Sequence, residues 1–200
     1  MYTFASLRPG LVLSHSKTSA TTMSLTDSEF GSLRQTIMLR GTVRMALLPF
    51  TMLGWALVAV LLLLFAELPA AVVFPLAILV AGFEAIHALH VGAERIGRYL
   101  QVYYEDAAGA PKWETTAMAV GPALPGGGID PLFSVLFIAA TLGNLVPAFT
   151  PGPTRPELAV LLPLHVAFIV RIMRARGAAA RQRAVELESY RALRAQTPTR

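Results

Sequence analysis

The stretch MALLPFTMLGWALVAVLLLLF, residues 45–65, decides the class of this protein, because 21 consecutive residues carry no charge. A helix needs about 20 apolar residues to cross the hydrocarbon core of a bilayer, so this run reads as a first membrane span. Outward from it, Ala70 to Ala93 contains Glu84 as its only formal charge, and Pro131 to Phe149 contains none. Both are long enough to span. The next apolar run, Leu158 to Val170, has only 13 uncharged residues, a length that on its own fits a buried or re-entrant segment as well as a span.

Charge placement decides the fourth segment. If all four cross, the amino tail, the 92–130 connection and the carboxyl tail share one side and hold 5, 3 and 8 Lys or Arg, while Arg155 alone lies opposite. Without the fourth crossing, the eight basic residues of the tail would sit on the translocated side, against the positive-inside rule. The sequence therefore predicts an all-α integral membrane protein, a four-transmembrane-helix bundle with both termini in the cytoplasm. Its expected spans are about 45–65, 70–92, 131–149 and 156–173, within a membrane domain covering 43–175. Ala77-Ala81-Ala85 and Ala139-Gly143 are the small faces expected to let helices approach closely.

Composition agrees and excludes other classes. Of 200 residues, 54% are hydrophobic and 14% charged, with a mean hydropathy of +0.56, too apolar for an ordinary soluble domain. There is no cysteine, which removes disulfides, thiolate metal sites, covalent c-type haem and cysteine nucleophiles. Lys17 and Lys112 are the only lysines beside 15 arginines, a bias that points to a GC-rich bacterial genome and hence to the bacterial inner membrane. The net charge of +5 would suggest nucleic acid in a soluble protein. In a membrane protein it reflects orientation and attraction to anionic lipid, and no nucleic-acid partner is expected.

The amino end, residues 1–25, is rich in Ser and Thr and reads as disordered, with Met23 as an alternative start. Thr26-x-x-Glu29 fits a capping box that would open an amphipathic helix over 26–42 lying on the inner membrane surface. At the other end the sequence stays helix-friendly from Arg171 to about Ala195, so the fourth span is expected to run on into a basic cytoplasmic tail over 176–200. There Arg171, Arg174, Arg176, Arg181 and Arg183 would meet lipid headgroups, as would Trp113 from the inner connection. Val185, Leu187, Tyr190 and Leu193 could form a partner-facing side. Gly126-Gly127-Gly128 reads as a hinge before the third span, not as a phosphate loop, since no Walker Lys-Ser/Thr follows.

The second span carries the chemistry-bearing residues. At about 100° per residue, Glu84, His87, Glu94, Arg95 and Arg98 fall in one arc, with His90 and Gln101 at its margin. Such a stripe faces protein or water, because exposing an ionised group to lipid costs at least ~2.5 kcal/mol. Three readings follow. In the first, Glu84 pairs with His87 or with a cation such as Arg95 or Arg98, while Arg95, Arg98, Tyr99, Tyr103 and Tyr104 sit among headgroups. In the second, His87 and His165, each about five or six residues from the inner boundary, clasp a haem b iron axially or bind another metal. In the third, Glu84, His87 and His165 form a proton or transport path. There is no G-x-S-x-G, no H-E-x-x-H and no base beside Ser134, so an enzyme is not expected. The favoured expectation is a small membrane protein that acts through interactions, as an accessory or assembly subunit of a larger complex or as a homo-oligomer.

Overall fold

The computed structural model describes residues 25–65, 67–105, 112–120 and 131–196. Among them every regular element is helical. Helix α1 runs Leu25–Phe65. A 3-10 turn, Pro69–Val72, leads into α2, Val73–Leu100, which ends in a π-helical segment, Gln101–Glu105. Helix α3 is Trp113–Val120, α4 Pro131–Gly143, α5 Val146–Phe149 and α6 Arg155–Gln196. Three helical units, Asp27–Phe65, Pro69–Glu105 and Arg155–Ala175, are long and apolar enough to cross a membrane. The third expected span is a shorter, broken piece made of α4 and α5.

Two expectations for the helices are corrected. The segment 26–42 is not a separate surface helix, because 25–65 runs as one 41-residue helix through Pro49. Its start at Leu25 also places Thr26 inside the helix and not at a cap. By contrast α6 continues through the basic tail to Gln196, as the composition predicted. The disordered reading of residues 1–24 and the Gly126–Gly128 hinge lie outside the described residues.

Helices α1 and α2 form an antiparallel hairpin whose close approach depends on glycine. A Cβ on Gly82 would lie 2.2 Å from Thr51 Cγ2, and one on Gly54 would touch Ile78 at 3.9 Å. Thr51 is itself fixed, since its hydroxyl donates to the Leu47 carbonyl at 2.8 Å. The alanines expected to serve this purpose do not. Ala77, Ala81, Ala85 and Ala139 are all exposed, and only Gly143 of that set meets a neighbour, the Trp55 ring.

Helices α2 and α6 lie side by side and run in the same direction. Their buried positions, Val72, Leu76, Leu79, Phe83 and Ile86 against Leu161, His165, Phe168, Ile172 and Ala175, repeat every seven residues. That is the spacing of a coiled-coil seam. Helix α4 fills the remaining side with Phe137 and Ala140, and Phe83 stands at the centre, edge-on to both Phe137 (5.4 Å between centroids) and Phe168 (5.8 Å).

Candidate functional site

The polar stripe of α2 does face protein, and its partners come from α6. Glu84 accepts a hydrogen bond from Arg171 at 2.7 Å, and both side chains stay roughly 40% exposed (42% and 43%). Further along, Arg98 is 1% exposed. Its Nε and Nη2 donate to Glu186 Oε2 at 2.9 and 2.6 Å, while Nη1 reaches Glu94 at 3.4 Å. Arg183 donates to the other oxygen of Glu94 at 2.5 Å. Arg95 and Gln182 complete the coordination of Glu186 at 3.0 and 2.7 Å. Burial works against ionising Glu186, but the donors Arg98, Gln182 and Arg95 outweigh it and hold the carboxyl below its usual range. This neck locks the C-terminal half of α2 to α6.

Helix α1 joins the neck through arginines that the stripe did not reveal. Arg44 Nη1 donates to His90 Nδ1 at 2.7 Å. The guanidinium of Arg40 crosses Gly92 so closely that a Cβ there would lie 2.0 Å from Nη1. On the far side of His90, Nε2 lies 3.7 Å from Glu94 Oε1.

Below the neck an aromatic cluster ties the same three helices. Tyr99 stacks on Tyr103 (4.6 Å), meets Tyr190 of α6 edge-on (5.9 Å) and donates to Glu29 of α1 at 3.0 Å. Phe30 packs on Tyr104 at 5.3 Å. These tyrosines, expected among headgroups, make ring contacts with one another and with Phe30 of α1 and Tyr190 of α6. Arg194 also donates to the Val102 carbonyl, beside the π turn. Glu105, buried at the end of this turn, carries no sequence signal that singles it out. It accepts the amides of Glu114 and Thr115 at 2.6 and 2.8 Å and the Thr115 hydroxyl at 2.8 Å, capping α3 from another element. Burial pushes the Glu114 carboxyl up, with Arg34 opposing and Glu105 adding to the rise.

His165 belongs to a different site, toward the N-terminal ends of α2 and α6. Its Nδ1 faces the Leu161 carbonyl at 2.7 Å and its Nε2 faces Asn144 Nδ2 at 3.0 Å. Asn144 also donates to the Val72 carbonyl at 2.9 Å and accepts from Trp55 Nε1 at 3.1 Å. One amide at the α4–α5 break thus joins α1, the 3-10 turn and α6, and both nitrogens of His165 are taken by protein groups.

This placement separates the residues of the haem and transport readings. The ion pairs set residue n of α2 beside residue n+87 to n+89 of α6, which puts His165 level with residues 76–78. His87 lies some ten residues further along α2, about 15 Å at 1.5 Å per residue, where it stacks on Phe83. The equal depth read from the sequence fails because it took Gly92 as the inner boundary on α2 and Arg171 on α6, whereas Arg171 is level with Glu84. His87 and His165, offset by about 15 Å along the helices, are therefore not placed to clasp one iron between them. Among the described residues no group of three or more His, Cys, Asp or Glu could hold a metal ion.

Of the arginines expected at headgroups, Arg171 and Arg183 are engaged by Glu84 and Glu94, Arg174 and Arg181 are exposed, and the Arg176 side chain lies outside the described residues. Trp113 is 63% exposed. Leu187 and Tyr190 are half-buried, Tyr190 against Tyr99, whereas Val185 is 63% exposed. Comparison of the chain with protein-family models, with curated proteins and with solved structures gives no match.

Proposed function

We propose that this chain is an accessory or assembly subunit of a larger complex of the bacterial inner membrane, and that it acts by docking. The observation that carries this reading is a stalk continuous with the spans. Inward of Arg44, α1 continues for 19 residues, about 28 Å, and inward of Arg171, α6 continues to Gln196. Helix α6 is clamped to α2 by the ion pairs of the neck, and α1 is tied to α2 by the Arg44–His90 and Tyr99–Glu29 hydrogen bonds. Such a rigid extension transmits position from the membrane to a soluble surface. It also presents apolar groups, Val185 and Trp113, that are 63% exposed on α6 and α3.

The orientation that goes with this reading places both termini in the cytoplasm, as the basic residues favour. The short outer connections then leave the inner stalk as the main surface for a partner, whether a foreign subunit or a second copy.

The test is purification of a tagged full-length chain, expressed at native level and held in a mild detergent, with particle mass and co-purifying chains determined together. The reading expects other subunits in fixed ratio, or a defined homo-oligomer, reduced by Val185→Glu and Trp113→Ala. A monomer, or an assembly indifferent to both substitutions, would overturn it.

A further inference from the structure

Arg44 and His90 meet in a way that depends on the charge of the ring. A guanidinium can only donate, and Arg44 Nη1 lies 2.7 Å from His90 Nδ1. Nδ1 is therefore the acceptor, and the ring is neutral with its proton on Nε2. The nearest carboxylate oxygen, Glu94 Oε1, is 3.7 Å from Nε2, beyond hydrogen-bond reach, and Nε2 is buried with no hydrogen-bond partner among the described residues. Arg183 of α6 already takes that oxygen. The charged and titratable groups that face the ring are thus Arg44 from α1, Arg183 from α6, and Glu94 with His87 from α2 itself.

A second ring proton changes these contacts in opposite directions. It goes on Nδ1, where it meets the Arg44 N–H groups donor to donor and charge to charge. At the other edge of the ring the cation is drawn to Glu94, because hydrogen bonds between ionised groups are the stronger ones. Protonation thus replaces a bond between α1 and α2 by a contact within α2.

We propose that His90 is a proton-operated latch: neutral, it fastens α1 to α2 through Arg44, and protonated it turns to Glu94 and releases α1. The position suits such a device. Arg44 immediately precedes the uncharged run 45–65, at the end of the span where a freed guanidinium reaches water or headgroups, and Thr42 and Val43 beside it are exposed. The ring keeps 14% of its surface exposed, so solvent reaches it. Toward the amino end, the next ion pair or hydrogen bond from α1 to another element among the described residues is Arg34–Glu114, ten residues away, about 15 Å along the helix. A single hydrogen bond therefore fastens this length of α1.

The test is a double-mutant cycle on the full-length chain in a neutral detergent, with Arg44→Met and His90→Ala made singly and together. Unfolding is followed at about pH 8 and about pH 5, on either side of imidazole titration. At the higher pH the pair should be coupled about tenfold in the unfolding equilibrium, the worth of one hydrogen bond from a charged donor. At the lower pH the coupling should vanish or turn repulsive. Hydrogen exchange of α1 around Arg44, corrected for the intrinsic effect of pH, should rise on acidification in the wild type and in His87→Gln. It should stay flat in His90→Asn, whose Oδ1 accepts in place of Nδ1 without titrating. Coupling of the same size at both pH values would overturn the latch. So would a pH response that survives His90→Asn or disappears in His87→Gln. Should His90→Ala fail to fold, the exchange comparison with His90→Asn decides alone.

Discussion

A guanidinium that is 1% exposed has lost its hydration, and Arg98 tolerates this only because Glu186 and Glu94 surround it. The two sides of the pair are not equivalent. Glu186→Ala leaves Arg98 buried with a single distant acceptor, Glu94 at 3.4 Å, and removing one partner of a buried ion pair costs about 3–5 kcal/mol. Arg98→Met keeps most of the volume, and the carboxylates retain Arg183 on Glu94 and Arg95 with Gln182 on Glu186. Unfolding in detergent should therefore rank Glu186→Ala well below Arg98→Met, with Arg98→Met near the wild type. The reverse order would show that the carboxylates, not the arginine, are the groups left stranded.

The elements respond to different variables. The Glu186 carboxyl is held below its usual range in the folded chain, so its contribution is fully present above its ordinary value of 4.5 and is lost as pH falls through the lower folded value. Hydrogen exchange of the α6 tail should accelerate on acidification below about pH 4.5, the ordinary carboxyl value, and Glu186→Gln should flatten that part of the dependence. The α1–α2 hairpin is governed by space instead. Gly82→Ala drives a methyl into Thr51, whose rotamer is held by the Leu47 carbonyl, and overpacking of this kind costs typically about 1–3 kcal/mol. Thr51→Ala should restore only part of the loss, because the Thr51 Cβ still lies 2.9 Å from the new atom. Full recovery would place the strain elsewhere.

Much of this element-level organisation was legible in the sequence, and the failures have physical causes. The apolar runs gave α1, α2 and α6, and the 3.6-residue period gave the stripe from Glu84 to Arg98. Small residues misled, since alanines in lipid are as content outside a bundle as inside it, and only the glycine facing Thr51 had no alternative. The register of α2 against α6 was hidden because hydropathy marks where charges begin, not which charges pair. The seven-residue repeat of Val72, Leu79 and Ile86 against Leu161, Phe168 and Ala175 carried that register. His165 stands in this repeat, and Asn144 supplies the partner that makes a polar seam residue tolerable. Neither Asn144 nor Glu105 had a sequence signal, because each acts on a segment with which it shares no local pattern.

For the whole molecule, the packing directions constrain topology more tightly than hydropathy does. Helix α2 runs against α1 and alongside α6, so the start of α1 and the end of α6 lie at the same end of the bundle. Two parallel neighbours need a connection that returns across the membrane. Residues 131–149, 19 in number, reach about 28 Å at 1.5 Å per residue, enough for that return despite the break at Asn144. The uncharged part of α6 is short, and the Glu84–Arg171 pair explains how that is borne. Level with Leu48 and Pro49, it lies about 6–7 Å from Arg44 toward the middle of the bundle as a mutually neutralising couple, and Arg171 rests its guanidinium 5.8 Å from the Phe83 ring centroid. Because the chain lacks cysteine, single cysteines report sidedness cleanly. Thr150→Cys should react with an impermeant maleimide from the outer face of intact cells, whereas Ala195→Cys should react only after the membrane is opened. If the accessibilities were exchanged, with Ala195→Cys reacting from outside and Thr150→Cys only after the membrane is opened, the 131–149 segment would be re-entrant. The parallel packing of α2 and α6 could then not persist in the bilayer, and the neck that depends on it would lose its basis.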